Sequence, residues 1–352
     1  MRTIDQTKPV LVTGGTGYLA SWIIKLLLGE GREVRTTVRS LANKDKYAHL
    51  VEIASKGSGT LQFFEADLLQ KGSFLKAMTD CELVIHTASP FIISGLKDAQ
   101  KELIDPALEG TRNVLESVND TGSVKRVVLT SSIAAVYGDA IDIRQTKDGI
   151  FTEADWNTTS SVEHQPYPYS KTLAEKLAWD IAGRQERWDL LTINPGFIMG
   201  PSLTKRTDST SIEIMIQLTT GKFKTGVPSG KMSFADVRDV AKAHVLAGYT
   251  PTASGRHICS SADRTYLDLA NVIRKAYPHY PLPTGFVPKF LFWLIAPMVG
   301  FTRKYVKLNV GYDLKMDNSY IKNDLKMDFL PFEQTVMDHF HQLVNDGIIK
   351  KQ

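Results

Sequence analysis

Cysteine is almost missing from the 352 residues: Cys81 and Cys259 stand far apart, with no C-x-x-C spacing. That excludes a disulfide framework and a structural zinc site, and it fits a reducing compartment. A surplus of charge is missing too. Forty-two Lys and Arg against thirty-eight Asp and Glu leave +4, too little on a chain this size for a nucleic-acid binder and compatible with an anionic small ligand. Long apolar runs are absent as well. The most apolar stretch, residues 290–301 (FLFWLIAPMVGF), is interrupted by Pro297 and falls short of the ~20 residues that cross a bilayer. It reads as a core or pocket-lining helix, with contact at a membrane surface as the second reading. Residues 1–8 are polar and lead straight into Pro9-Val10-Leu11-Val12 with no apolar leader, so a cytoplasmic location is the expectation. There is no H-E-x-x-H, G-x-S-x-G or P-loop pattern, and His339-Phe340-His341 has no third ligand in register. No metal is expected.

What is present is alternation. Short apolar or β-branched runs at 10–13, 33–38, 61–65, 83–86, 127–130 and 190–193 read as strands, several of them apolar on both faces as buried parallel strands are. Helical patterns at 18–28, 43–55, 73–79, 99–118 and 167–186 separate them. Strands alternating with helices predict an α/β Rossmann architecture, a doubly wound parallel sheet built from right-handed crossovers. After Pro195 the pattern loosens, and a smaller, less regular C-terminal substrate lobe is expected. Residues 1–195, with about 234–260, form the predicted cofactor-binding and catalytic domain; about 196–233 and 261–352 form the substrate lobe.

The first chemical signal follows the first strand. Thr13-Gly14-Gly15-Thr16-Gly17-Tyr18-Leu19-Ala20 opens a helix pattern at once, the context in which glycines let a pyrophosphate approach backbone amides at a helix N-terminus. The spacing is G-x-x-G-x-x-A rather than G-x-G-x-x-G. The second strand, ending Val34-Arg35-Thr36-Thr37-Val38-Arg39-Ser40, carries no acid to hold a ribose 2′-hydroxyl. Arg39 can instead fork onto a 2′-phosphate, with Lys46 adding charge, which predicts NADP(H) over NAD(H). Both cations also read as solvated surface charge. Asp67, followed by Leu68, ends the third strand and can contact an adenine amino group or simply cap a turn. Thr87, Ala88 and Ser89 close the fourth strand, where small residues let a cofactor lie flat.

The second signal is Tyr167-Pro168-Tyr169-Ser170-Lys171. Four residues apart on a helix, Tyr167 and Lys171 share a face, and a nearby cation lowers a phenol's pKa from about 10. Leu129-Thr130-Ser131-Ser132 ends an apolar strand at the same carboxyl edge, where a hydroxyl can polarise a carbonyl oxygen.

With these motifs in this order, the chain resembles the extended short-chain dehydrogenase/reductase family, and within it the dihydroflavonol reductase-like carbonyl reductases. The resemblance rests on Thr13-Gly14-x-x-Gly17, Val34 through Arg39, Val127 through Ser132, Tyr167-x-x-Ser170-Lys171-Thr172-Leu173-Ala174-Glu175-Lys176, and Ile193 through Pro201. It implies that Tyr167 is the general acid in reduction, that Lys171 holds the nicotinamide ribose and tunes the phenol, and that Ser132, with Ser131 as substitute, bonds the substrate carbonyl. Pro195, Gly196 and Ile198 would flank the nicotinamide. The chain departs from the family where Ile133-Ala134 follows the serine, without the nearby asparagine of dihydroflavonol reductases. It also reads His164-Gln165-Pro166-Tyr167 where cinnamoyl-CoA reductases carry N-W-Y-C-Y.

The expected partner is a small carbonyl substrate, apolar or aromatic, with no nucleic acid and no transmembrane segment, in a monomer or homodimer. Two other functions compete. Nucleotide-sugar epimerases and dehydratases share the fold, but Ile133-Ala134 replaces the Asp-Glu of dehydratases and Arg39 replaces an epimerase's acid. A non-catalytic NADP-sensing protein would not need both Tyr167 and Lys171.

Overall fold

The computed structural model describes residues 1–89 and 97–351. The apolar runs form β1 (Val10–Thr13), β2 (Glu33–Val38), β3 (Thr60–Glu65), β4 (Leu83–His86), β5 (Arg126–Thr130) and β6 (Asp189–Pro195). After β6 come β7 (Phe197–Met199), β8 (Met232–Asp236), β9 (Gly255–Cys259) and β10 (Ala262–Arg264). Seven of these pair in one sheet in the order β3-β2-β1-β4-β5-β6-β9, every pair parallel. The direction of winding reverses between β1 and β4. At such a switch point the strand ends leave a crevice, and ligands of open α/β sheets bind there. The architecture expected from the alternation of strands and helices is the one observed.

Between the strands run α1 (Tyr18–Gly29), α2 (Ala48–Lys56), α3 (Leu75–Met78), α4 (Asp105–Asp120), α5 (Pro166–Ala182), α6 (Thr210–Thr219) and α7 (Val237–Tyr249). One face of the sheet buries Val10, Val12, Val34 and Ile85 against Ile23, Ile24 and Leu27 of α1 and Val240 and Ala241 of α7. The other buries Leu11, Val84, Val127 and Leu190 against Val114, Leu115 and Val118 of α4 and Ala178 of α5. Central strands buried on both faces must be apolar throughout, which is why 83–86 and 127–130 could be read from sequence.

The later part of the chain adds α8 (Tyr266–Ala276), α9 (Lys289–Ile295), α10 (Arg303–Asn309), α11 (Ser319–Leu325) and α12 (Phe332–Asn345). A small sheet of order β10-β8-β7 holds β7 parallel and β10 antiparallel to β8. Phe234 of β8 belongs to a separate core with Met215, Leu269, Ile273, Phe332 and Phe340, its ring centre 5.2 Å from that of Phe332. Among the described residues no helix is long and apolar enough to cross a membrane.

Candidate active site

The turn after β1 is shaped by contacts a side chain would prevent. Gly14 has φ +69°, and a Cβ on it would lie 3.0 Å from the Ala88 Cα at the end of β4. A Cβ on Gly15 would lie 2.1 Å from Thr36 Oγ1. The backbone therefore lies flat across the β1–β4 crevice. Gly14 N–H donates to Thr37 Oγ1 (3.0 Å), and Gly17 N–H donates to the Gly14 carbonyl (2.9 Å). Gly17 caps α1 without a side chain, so the first amides of the helix point at the crevice without an intrahelical acceptor. Leu19 is buried in the core and offers only its amide. Tyr18 donates its hydroxyl to the Gly200 carbonyl (2.5 Å), tying α1 to the segment beyond β7.

Thr13 is completely buried and serves as a pin between strand ends. Its Oγ1 accepts the amides of Thr87 and Ala88, each at 3.2 Å, and lies 2.8 Å from His86 Nδ1. Having accepted two amides, the hydroxyl must donate to Nδ1, which fixes His86 as the neutral Nε2–H tautomer. Burial, reinforced by the Lys171 charge, pushes the His86 pKa down to about 3. Thr130 plays the matching part at the end of β5. Its Oγ1 lies 2.7 Å from Nε2 of buried His244, whose Nδ1 faces the Val240 carbonyl at 2.7 Å. Burial lowers that imidazole to about 4. Neither histidine is visible as a site residue in the sequence, because an isolated histidine on an apolar pattern carries no signal.

Ser132 is half-buried, with its Oγ accepting the Ala134 amide at 3.1 Å. Ser131 turns the other way, into the protein, and donates to the Glu175 carboxylate. Glu175 also accepts from Asn194 Nδ2 (2.7 Å), Thr192 Oγ1 (3.2 Å) and Arg256 Nε (2.6 Å). Asn194 in turn donates to the Ser132 carbonyl at 3.1 Å. A buried ion pair thus holds the strand end on which both serines stand. The sequence alone gives its members no role, since a buried charge becomes legible only once its partner is located.

On α5, Tyr167 is half-buried and burial raises its pKa above the ordinary value. The sequence led to the opposite expectation, a phenol acidified by Lys171. The Lys171 ammonium stands 5.9 Å from the Tyr167 ring centre and donates to Ser89 Oγ at 3.3 Å. It is itself desolvated, which lowers its pKa to about 8, against the opposing pull of Glu175 one turn on. Thr172 Oγ1 donates to Pro168 O (2.8 Å) and reaches Ala134 O (3.4 Å), so α5 is anchored beside the Ser132 turn.

A cleft at this carboxyl edge brings together Leu68, Ala88, Ser89, Thr130 and Lys171 with His86 and Glu175. Ser132 and Tyr167 do not line that cleft. Asp67 caps its own turn through Leu69 N–H (2.8 Å). Arg39 and Lys46 are exposed beyond the end of β2. Pro195 ends β6, Gly196 N–H donates to Cys259 O (3.0 Å), and Ile198 packs against the first core. Among the described residues no cluster of three or more metal-ligating side chains occurs.

Comparison with known proteins points the same way. The family model described as the NAD dependent epimerase/dehydratase family matches residues 10–259. A cinnamoyl-CoA reductase of Medicago truncatula is 41% identical over 279 residues, covering 78% of this chain and 82% of that protein. Tetraketide alpha-pyrone reductase 1 of Arabidopsis thaliana is 38% identical over 353 residues, 98% of each chain. Among solved structures, Gre2 of Candida albicans in complex with NADPH superposes with a TM-score of 0.78 at 30% identity, covering 96% of this chain and 99% of that one.

Proposed function

Since the chain belongs to the NAD dependent epimerase/dehydratase family, within which its relatives are reductases, we propose that it reduces a ketone or aldehyde to an alcohol with NADPH. The observation that carries the reading is the position of Lys171. Its ammonium is held against Ser89 at the β1–β4 crevice, one helical turn from Tyr167.

The residues present fit a dinucleotide. The glycine turn packs too closely on Ala88 and Thr36 to admit a Cβ at Gly14 or Gly15, and such a bare backbone lets a pyrophosphate approach. The first amides of α1 have no side-chain cap and are available to a pyrophosphate, and Arg39, exposed just beyond the end of β2, is the cation proposed to hold a 2′-phosphate. When bound, the cofactor supplies a hydride to the carbonyl carbon. Tyr167 delivers a proton to the carbonyl oxygen. Its raised pKa keeps the phenol protonated across the physiological range. Lys171 places positive charge beside the phenol and the ribose, and Ser132 offers its hydroxyl proton to the developing oxyanion. Thr13, His86, Thr130 and His244 hold the strand ends as neutral, hydrogen-bonded pins. They add no charge that would compete for the cofactor.

The substrate class proposed is an apolar or aromatic carbonyl. The test is NADPH oxidation against a panel of aromatic and aliphatic ketones and aldehydes. Tyr167→Phe should lower turnover by about 10²–10⁴-fold. Tightly bound, unreduced NAD with interconversion of a UDP-sugar would overturn the reading in favour of an epimerase.

A further inference from the structure

More than half of the exposed large apolar side chains among the described residues lie between positions 286 and 301. Phe290 is 70% exposed and Met298 87%, with Leu291, Trp293, Leu294, Val299 and Phe301 exposed around them. The face is not a frayed end. Beneath it Phe292, Ala296, Val306 and Val310 form a buried cluster that clamps α9 onto α10, so the orientation of the outward side chains is set by packing. Gly300, at φ +85°, turns the chain, and Thr302 caps α10 by accepting the Tyr305 amide at 3.0 Å.

The charge around this face is one-sided. Residues 269–312 contain no Asp or Glu and six cations: Arg274, Lys275, Lys289, Arg303, Lys304 and Lys307. The net charge of the whole chain is only +4. Arg303, Lys304 and Lys307 are exposed, and the Arg303 guanidinium lies 4.5 Å from the ring centre of Trp293, at the rim of the apolar face. Apolar side chains in the middle, an indole at the edge and cations beside it are the chemistry of an interfacial anchor. A two-fold contact with a second copy would set these cations against their own images, with no acid in the segment to pair them.

We propose that the α9–α10 face docks on an anionic lipid bilayer, with Phe290, Leu294 and Met298 entering the acyl boundary and Arg303, Lys304 and Lys307 meeting the headgroups. The element is too short to span and lies in the interface. It is also rigidly tied to the catalytic half. Asn309 at the end of α10 accepts the Ala140 amide (2.9 Å) and donates to Asp139 (2.6 Å), which is bonded to Gln165 just before α5 (2.7 Å). Docking therefore fixes the orientation of the cleft relative to the membrane. This inference does not rest on the proposed reductase activity.

The full chain is sedimented with sucrose-loaded vesicles of phosphatidylcholine alone or mixed with phosphatidylserine, at low and high salt. The expected result is co-sedimentation with the phosphatidylserine vesicles, lost at high salt, with little on phosphatidylcholine alone. Arg303→Gln and Lys304→Gln should each weaken partitioning roughly five-fold, and Met298→Glu should abolish it. All three positions are exposed, and unchanged circular dichroism and NADPH affinity would show that the variants fold. Equal sedimentation on both lipids, none on either, or insensitivity to the charge substitutions would overturn the proposal. So would a dimer in sedimentation velocity that Met298→Glu dissociates without any vesicle binding, which would assign the face to a second copy.

Discussion

Replacing Arg256 by methionine removes the cation from the most heavily used buried carboxylate near the candidate active site. Arg256 and Glu175 are 8% and 1% exposed, and their ion pair is 2.6 Å long. The guanidinium also donates to the carbonyls of Glu153 (2.8 Å), Asp155 (2.6 Å) and Ala135 (3.3 Å), and it stacks 3.8 Å from the Trp156 ring centre. An exposed pair would contribute only about 0–1 kcal/mol. Breaking a buried one leaves an uncompensated charge and costs about 3–5 kcal/mol, a large part of a domain's usual margin of about 5–15 kcal/mol. Urea unfolding followed by tryptophan fluorescence measures the loss. Adding Glu175→Gln to Arg256→Met removes the stranded carboxylate, so the double variant should be more stable than the sum of the single losses by at least about 1 kcal/mol. A single-variant loss below about 1 kcal/mol, or strict additivity, would refute this account of the network.

Other predictions concern the cofactor and the proton. Arg39→Ala should raise the NADPH KM about 10–100-fold, the worth of a charge-assisted hydrogen bond, and leave the NADH KM nearly unchanged; equal effects would refute the role of Arg39. Lys171 has its pKa lowered to about 8, so kcat/KM for reduction should fall as pH rises through about 8, and Lys171→Arg should move that fall upward. The same shift links to stability. The unfolded chain, with its lysine near 10.5, binds the extra proton between about 8 and 10.5, so the Lys171 contribution to stability rises with pH across that window. Gly15→Ala places a Cβ 2.1 Å from Thr36 Oγ1 and should cost about 1–3 kcal/mol in urea unfolding; a neutral result would mean that the turn is not close-packed.

The sequence made the central strands and the glycine turn legible because they are buried on both faces or uniquely glycine-dependent. Strands 10–13, 33–38 and 83–86 have the bounds expected of them. It was silent where burial is polar. β9 reads Gly-Arg-His-Ile-Cys, and two of its inward residues are charged or titratable: Arg256 pairs with Glu175, and His257 lies 2.8 Å from Asp324. No apolar period can find such a strand. The first residue of β5 was lost for the same reason, since Arg126 is buried against Asp189 at 2.9 Å. Local motifs make Tyr167, Lys171 and Ser132 the candidates for the chemistry. The tertiary partners Glu175, His86 and His244 came only from the fold. The sign of the Tyr167 shift was also beyond the sequence, because i,i+4 spacing states that a cation is near but not how thoroughly the helix face is buried.

The central claim is that hydride passes to a carbonyl carbon in this crevice while Tyr167 supplies the proton. It is tested most directly by turning over a reducible ketone with NADPH deuterated at the nicotinamide C4. The account predicts deuterium on the carbinol carbon of the alcohol, with none arriving there from solvent, and loss of that product in Tyr167→Phe. Solvent-derived hydrogen at that carbon, or undiminished labelled product from Tyr167→Phe, would contradict it.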